Sequence, residues 1–172
     1  EVSVRAEDSF YNRADSDVPK FSIYDGDRVV AETEENGSSI QTFNLSFSES
    51  GPKWLRIVSQ DGLIEGRFNP ILVKVNPSHR IFWGDTHGHS GYAEGIGNMD
   101  YFMRFARDDA RLDYVTLSEH DIWLDEEEWM SLRDTIVAFD SPGKFIPFLG
   151  YEWTTPAKRG GHHNVLYRTA KN

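Results

Sequence analysis

The sequence contains no cysteine, which excludes disulfides and thiolate metal sites and leaves His, Asp and Glu to hold any ion. It also lacks a G-x-S-x-G elbow, so two common covalent routes to hydrolysis are absent. Its apolar runs, such as Ile71-Leu72-Val73 and Phe145-Ile146-Pro147-Phe148-Leu149, fall far short of the roughly 18–20 residues of a membrane span. A soluble chain with no membrane partner is expected. Basic charge is scarce, with 18 Lys and Arg against 28 Asp and Glu and a formal charge of −10. No basic stripe is visible, which disfavours nucleic acid as the main partner. A phosphate substrate stays compatible, because bound divalent cations reverse the local sign of a carboxylate-rich pocket. Glu1-Val2-Ser3-Val4-Arg5 shows neither a charged leader nor an apolar signal region, as in a mature product, a trimmed piece or a cytoplasmic protein. A periplasmic or secreted location is ranked ahead of a cytoplasmic one.

What is present suffices for folding. With 172 residues, 38% of them hydrophobic and 13% aromatic, the chain can bury one sizeable core or two small ones. Residues 1–78 read as short alternating or apolar stretches between turn clusters, with no sustained helical period. Candidate strands are Val2–Ala6, Lys20–Tyr24, Arg28–Glu32, Ser39–Phe47, Lys53–Ser59 and Ile71–Val75. Asp25-Gly26-Asp27, Glu35-Asn36-Gly37, Gly51-Pro52 and Asp61-Gly62 break them. That spacing predicts a small immunoglobulin-like β-sandwich serving as a structural or positioning module.

After Asn76-Pro77-Ser78 the pattern changes to apolar strands alternating with amphipathic helices, the mark of βα units on a parallel sheet, and a boundary is placed there. The expected order over 79–172 begins with a strand at Arg80–Thr86. A helix from about Met99 to Leu112 follows, capped by Asn98, with Phe102, Phe105, Ala106 and Leu112 on one stripe. Next come a strand at Asp113–Ser118 and a helix from Asp125 to Phe139. The second helix opens on capping-box spacing between Asp125 and Glu128 and buries Trp129, Leu132, Ile136 and Phe139. Strands at Phe145–Leu149 and Asn164–Tyr167 complete the series.

Five of the six histidines lie at or beside predicted strand ends: His87 with His89, His120, and His162 with His163. Residues two apart on an extended strand point to one side, so His87 and His89 can face one ion. Carboxylates accompany them in Gly84-Asp85-Thr86-His87-Gly88-His89-Ser90-Gly91-Tyr92-Ala93-Glu94-Gly95, in Thr116-Leu117-Ser118-Glu119-His120-Asp121 and in Gly150-Tyr151-Glu152-Trp153. Imidazole and carboxylate at four successive strand ends suit hard divalent ions. Alternation turns Glu119 away from the site, into an ion pair or solvent. His79 reads as a linker residue, and Glu94 as a loop acid or a ligand. Trp83, Tyr92, Tyr151 and Trp153 read as packing or pocket wall, and Lys158 with Arg159 as an exposed basic pair or a phosphate grip.

These segments together resemble the PHP superfamily, named for polymerase and histidinol phosphatase domains, whose pattern is D-x-H-x-H-[ST], [ST]-[DE]-H-[DN], then E and H. The resemblance spans about residues 80–168 and is nearest a bacterial branch with a β-sandwich ahead of the barrel. It implies a multidomain α+β chain in which the sandwich precedes the first half of a distorted (β/α)7 TIM-like barrel. It also implies two or three divalent ions, Zn, Mn or Fe. His87 and His89 would ligate a first ion, Glu152 would bridge it to a second joined by His162, and Glu94 with His120 would bind a third. His163 is the alternative to His162. Asp85 and Asp121 would ligate or orient an imidazole.

On that reading the chain is part of a metal-dependent phosphoesterase acting on a small-molecule phosphoester, with Glu152 and His120 also in catalytic roles. The family pattern continues with another His and an Asp-x-His pair, so the rest of the barrel is expected in the same gene product or another chain, and this piece alone should be weakly active or inactive. A metal-dependent amide or lactone hydrolase of amidohydrolase type and a non-catalytic module with structural metals are the alternatives.

Overall fold

The computed structural model describes residues 1–14, 18–35 and 37–170, and the chain separates into two compact units, Glu1–Arg80 and Ile81–Asn172. The first is β-rich. Its described strands are β1 (Val2–Arg5), β2 (Phe21–Asp25), β3 (Arg28–Glu32), β4 (Ile40–Phe43), β5 (Gly51–Lys53), β6 (Leu55–Ser59), β7 (Glu65–Arg67) and β8 (Ile71–Val73). They form a four-stranded antiparallel sheet, β3-β2-β6-β7, and two antiparallel pairs, β1-β4 and β5-β8. Val18, Phe21, Ile23, Leu55 and Ile57 make the core, flanked by Val2, Val4, Phe43, Phe68 and Ile71. Alternation on β2 and β6 directs Ile23, Leu55 and Ile57 inward, each side chain worth about 1.5–3 kcal/mol on burial.

Three expectations for this unit change. The long strand at 39–47 pairs only over Ile40–Phe43, and Gly51-Pro52, expected as a break, opens β5. Because β5 pairs with β8 alone, Pro52 sits on an edge, where a missing N–H is tolerated. Strand β7 was hidden in the polar run Glu65-Gly66-Arg67, which β6 recruits through Arg56, Ile57 and Val58. The turn expected at Glu35-Asn36-Gly37 falls partly outside the described residues.

The second unit mixes α and β. Its strands β9 (Gly84–Asp85), β10 (Tyr114–Leu117), β11 (Ile146–Trp153) and β12 (His163–Leu166) form one sheet in the order β12-β11-β10-β9. Pairing is parallel from β9 to β10 and β10 to β11, but β12 returns antiparallel to β11. The expected run of four βα-type strands is therefore three parallel strands and a hairpin partner, because only residues 154–162 separate β11 from β12, too few for a helical crossover. The first strand is also shorter than Arg80–Thr86. Trp83 donates its N–H to Asp113 Oδ2 at 2.7 Å and accepts from Asp113 N–H at 2.7 Å, leaving Ile81, Phe82 and Trp83 exposed. Gly84 has to be glycine, since a Cβ there would lie 2.3 Å from the Tyr114 carbonyl oxygen.

Helix α1 (Met99–Arg104) starts where Asn98 accepts from Tyr101 N–H at 2.8 Å. It gives way to a π turn over Phe105–Asp109 instead of running to Leu112: Ala110 N–H reaches back five residues to Phe105 O, and Arg111 takes φ 55° to redirect the chain toward β10. The buried stripe is accordingly Met99, Met103 and Ala106, with Phe105 partly exposed beside Tyr101. Helix α2 (Glu126–Phe139) keeps its predicted box, with Asp125 Oδ1 accepting from Glu128 N–H and Glu128 Oε2 from Asp125 N–H. Its Leu132 and Ile136 meet Val115, Leu117, Phe145 and Leu149 of the sheet side, with Trp129 and Phe139 at the margin. This core fixes β10 and β11, whose C-terminal ends lead to His120 and carry Glu152.

Candidate metal centre

The parallel register of β10 and β11 continues beyond Leu117 and pairs His120 with Glu152. The segment after β9 crosses the end of β10, where Ser118 N–H donates to Gly88 O at 2.9 Å. His87 and His89 thereby arrive beside His120 and Glu152 although their sequence positions are far apart. The β11–β12 hairpin adds His162. Glu152 is 6% exposed and lies in the middle of the cluster. Its Oε2 is 3.3 Å from His89 Nε2 and 3.1 Å from His120 Nδ1, and its Oε1 is 3.0 Å from His162 Nδ1. Glu94, on the loop before α1, stands 3.2 Å from His120 Nε2. The His120 ring, by hydrogen bonding to it first and by charge second, holds the Glu94 carboxyl below its ordinary range.

Three groups of side chains bring one ligand atom each within 4.8 Å of one another: His87, His89 and Glu152; His89, Glu94 and His120; His120, Glu152 and His162. All six residues singled out from the sequence enter at least one group. His163 does not, because alternation on β12 turns it to the other face, against the Trp153 ring. Asp85 accepts from His87 N–H at 3.1 Å and Asp121 from Thr154 N–H at 2.8 Å, a backbone contact in each case. Glu119 does not turn away from the site as alternation implied, and of its two expected settings, an ion pair or solvent, it takes the first, 3.7 Å from His89 Nδ1. It is wholly buried, with Oε1 accepting from Ser90 N–H at 2.8 Å, because the 88–90 segment covers the end of β10. Tyr151 packs with Trp129 and Tyr167 around a cleft of about 270 Å³, whereas Trp83 and Trp153 are exposed.

Neutral partners set which imidazole nitrogens are free. Asn164 donates from Nδ2 to Thr86 O at 3.2 Å, which orients its amide and leaves Oδ1, an acceptor, 3.2 Å from His87 Nδ1. The proton of His87 therefore sits on Nδ1 and the lone pair on Nε2. Thr154 spends its hydroxyl proton on Glu152 O at 3.0 Å, so its oxygen accepts from His120 Nδ1 at 2.6 Å and Nε2 is left on the Glu94 side. Such partners fix ring orientation and raise donor strength toward an ion. Sequence reasoning missed Asn164, Thr154 and Ser118, the last 3.0 Å from His87 Nδ1. A signal existed, for each lies two residues from a candidate ligand: Ser118 and His120, Glu152 and Thr154, His162 and Asn164.

The donor set fits divalent ions on its own evidence. Glu152 Oε2 and His89 Nδ1 are buried polar atoms without a hydrogen-bond partner among the described residues, a costly condition for a folded protein. An ion between the imidazoles and the carboxylate relieves it for Glu152. The mixture of imidazole nitrogen and carboxylate oxygen suits a divalent metal ion.

Comparison with known proteins gives few names. Residues 97–172 match a family described as protein of unknown function (DUF3604). Two uncharacterized proteins, from Chlamydia trachomatis serovar D and Chlamydia muridarum, are 26% and 27% identical over 125 residues, covering 72% of this chain and 20% of theirs. The chain thus spans about a fifth of the length of the curated relatives it matches. Among solved structures, a two-domain protein from Bacteroides vulgatus, described as containing a predicted PHP-like metal-dependent phosphoesterase, is similar at 22% identity and a TM-score of 0.36. That similarity covers 49% of this chain and 26% of that one.

Proposed function

We propose that the second unit contributes most of a di- or trinuclear metal centre to a metal-dependent hydrolase, with phosphoester hydrolysis as its reaction. The observation that carries this is Glu152, a buried carboxylate surrounded by three imidazoles and shared by two of the three candidate groups. The motif resemblance to the PHP superfamily points the same way. It favours an immunoglobulin-like sandwich followed by the start of a seven-stranded barrel, completed by further residues of the gene product or by another chain. A small phosphoester is the proposed substrate and a periplasmic or secreted location the proposed setting.

Bound divalent ions supply the Lewis acidity that makes water a nucleophile near neutral pH and neutralises phosphoryl charge. The chain's own residues prepare for that chemistry. His87 and His120 present Nε2 because Asn164 and Thr154 hold their Nδ1 protons, and Glu152 places one carboxylate between two groups. His87, Glu94 and His162 are solvent-exposed, leaving the side where a substrate oxygen would approach open.

The test is metal analysis of the purified chain after equilibration with zinc or manganese, beside His87→Ala and Glu152→Ala. The chain should retain ions that both variants lose in part. Unchanged content in both variants would sink the assignment. Parallel assays of the metal-loaded whole protein on phosphate esters, amides and lactones then decide the bond cleaved.

A further inference from the structure

We propose that Glu119 is a positioning residue for His89, holding its proton on Nδ1 so that Nε2 faces the ion; this rests on the metal reading above. The two oxygens of Glu119 have different situations. Oε1 accepts from Ser90 N–H and ties down the segment that carries His89. Oε2 is buried, has no hydrogen-bond partner among the described residues, and lies 3.7 Å from His89 Nδ1, which is buried and equally without one. Two orphaned polar atoms facing each other in a carboxylate–imidazole pair are complementary, since an anionic oxygen only accepts and an Nδ1–H donates. Closing the gap by less than an ångström makes the bond.

The ring is already set for this. His120 stacks on His89 at 4.7 Å between centroids and His87 meets it edge-on at 4.7 Å, so its plane is fixed with Nε2 directed toward Glu152 Oε2 at 3.3 Å. Asn164 and Thr154 perform the same service for His87 and His120. Glu119 completes the set, and as the one charged member it strengthens its imidazole as a donor most. Merely anchoring Ser90 needs one acceptor oxygen; the second has no hydrogen-bond partner among the described residues.

Glu119→Gln separates the two roles. The amide keeps its volume and an oxygen for Ser90, but must turn its NH2 toward His89 Nδ1, donor against donor. The chain and Glu119→Gln are titrated with zinc, and metal-free melting temperatures are recorded. Expected is a roughly 10–100-fold weaker zinc affinity for Glu119→Gln with its melting temperature retained. Equal affinity in a chain that binds zinc overturns this inference alone, whereas a parent chain that binds no zinc overturns the metal reading beneath it. Should Glu119→Gln not fold, long-range ¹H–¹⁵N correlation on the zinc-loaded parent decides: a His89 proton on Nδ1 supports the proposal, and zinc bound to Nδ1 refutes it.

Discussion

Replacing Glu152 by Gln isolates the ion's contribution from that of the fold. The carboxylate is nearly isosteric with the amide, so core packing is retained, but both candidate groups that share Glu152 lose an anionic donor. Metal-free, the change also alters the contacts of Glu152 with His89, His120 and His162 at 3.0–3.3 Å, so the quantity to read is the rise in melting temperature that metal produces in each protein. With zinc at about 100 times the dissociation constant of one site, the parent gains about 2.7 kcal/mol. For a cooperative unit of under a hundred residues that is about 10–20 °C. Losing a direct ligand should weaken binding by at least the ~100-fold upper range seen for supporting residues. The same zinc concentration then only matches the dissociation constant, and the gain falls to about 0.4 kcal/mol, or about 2–3 °C. Differential scanning calorimetry with zinc and with a chelator measures both. A zinc-dependent rise as large in Glu152→Gln as in the parent refutes the reasoning, and so does no rise in the parent.

Two further outcomes are expected. A Cβ on Gly95 would stand 2.1 Å from His89 O and 2.8 Å from Ser90 O, so Gly95→Ala should push the loop outward, withdraw Glu94 from His120 and lower the number of zinc ions bound at saturation; stoichiometry unchanged by calorimetric titration contradicts this. In the first unit, the Ser59 hydroxyl, then Leu63 N–H, hold the Asp61 carboxyl below its ordinary value. That stabilisation is complete above the unfolded value near 3.9 and is lost as pH falls through the lower folded value, so Asp61→Asn, which keeps an accepting oxygen, should flatten the acid limb of urea-unfolding stability below about pH 4. An acid limb as steep as the parent's counts against it.

Much of the site was legible because its chemistry is carried by rare residue types at rare positions. Histidine and glutamate at strand ends advertise themselves, and the caps Asn98 and Asp125 act through neighbours only three residues away. What stayed hidden depends on contacts distant in sequence. Asn164 reaches His87 across 77 positions, and nothing in an isolated Asn says whether it faces an imidazole or water. The direction of Glu119 was misread because alternation was extended beyond Leu117, where the strand ends and the crossing of residues 88–90 buries the acid beside His89. The reversal of β12 was equally invisible, since apolar patterning records which face a strand buries and not the direction in which it runs. The break in the first helix is a related case: the stripe of Phe102, Phe105 and Ala106 is periodic in sequence, but the π turn decides which of them meets the core.

Asn164 also joins the margins of the second unit's sheet. It belongs to β12, the outermost strand on one side, yet donates to Thr86 O just beyond β9, the outermost on the other. The two margins are therefore laced together over the strand ends, like a drawstring at the mouth of a bag. Glu152, which shares one candidate group with His87 and another with His162, stands between those margins. Edge strands are ordinarily the first to open, and in this unit the Asn164 side-chain bond ties the two edges to each other.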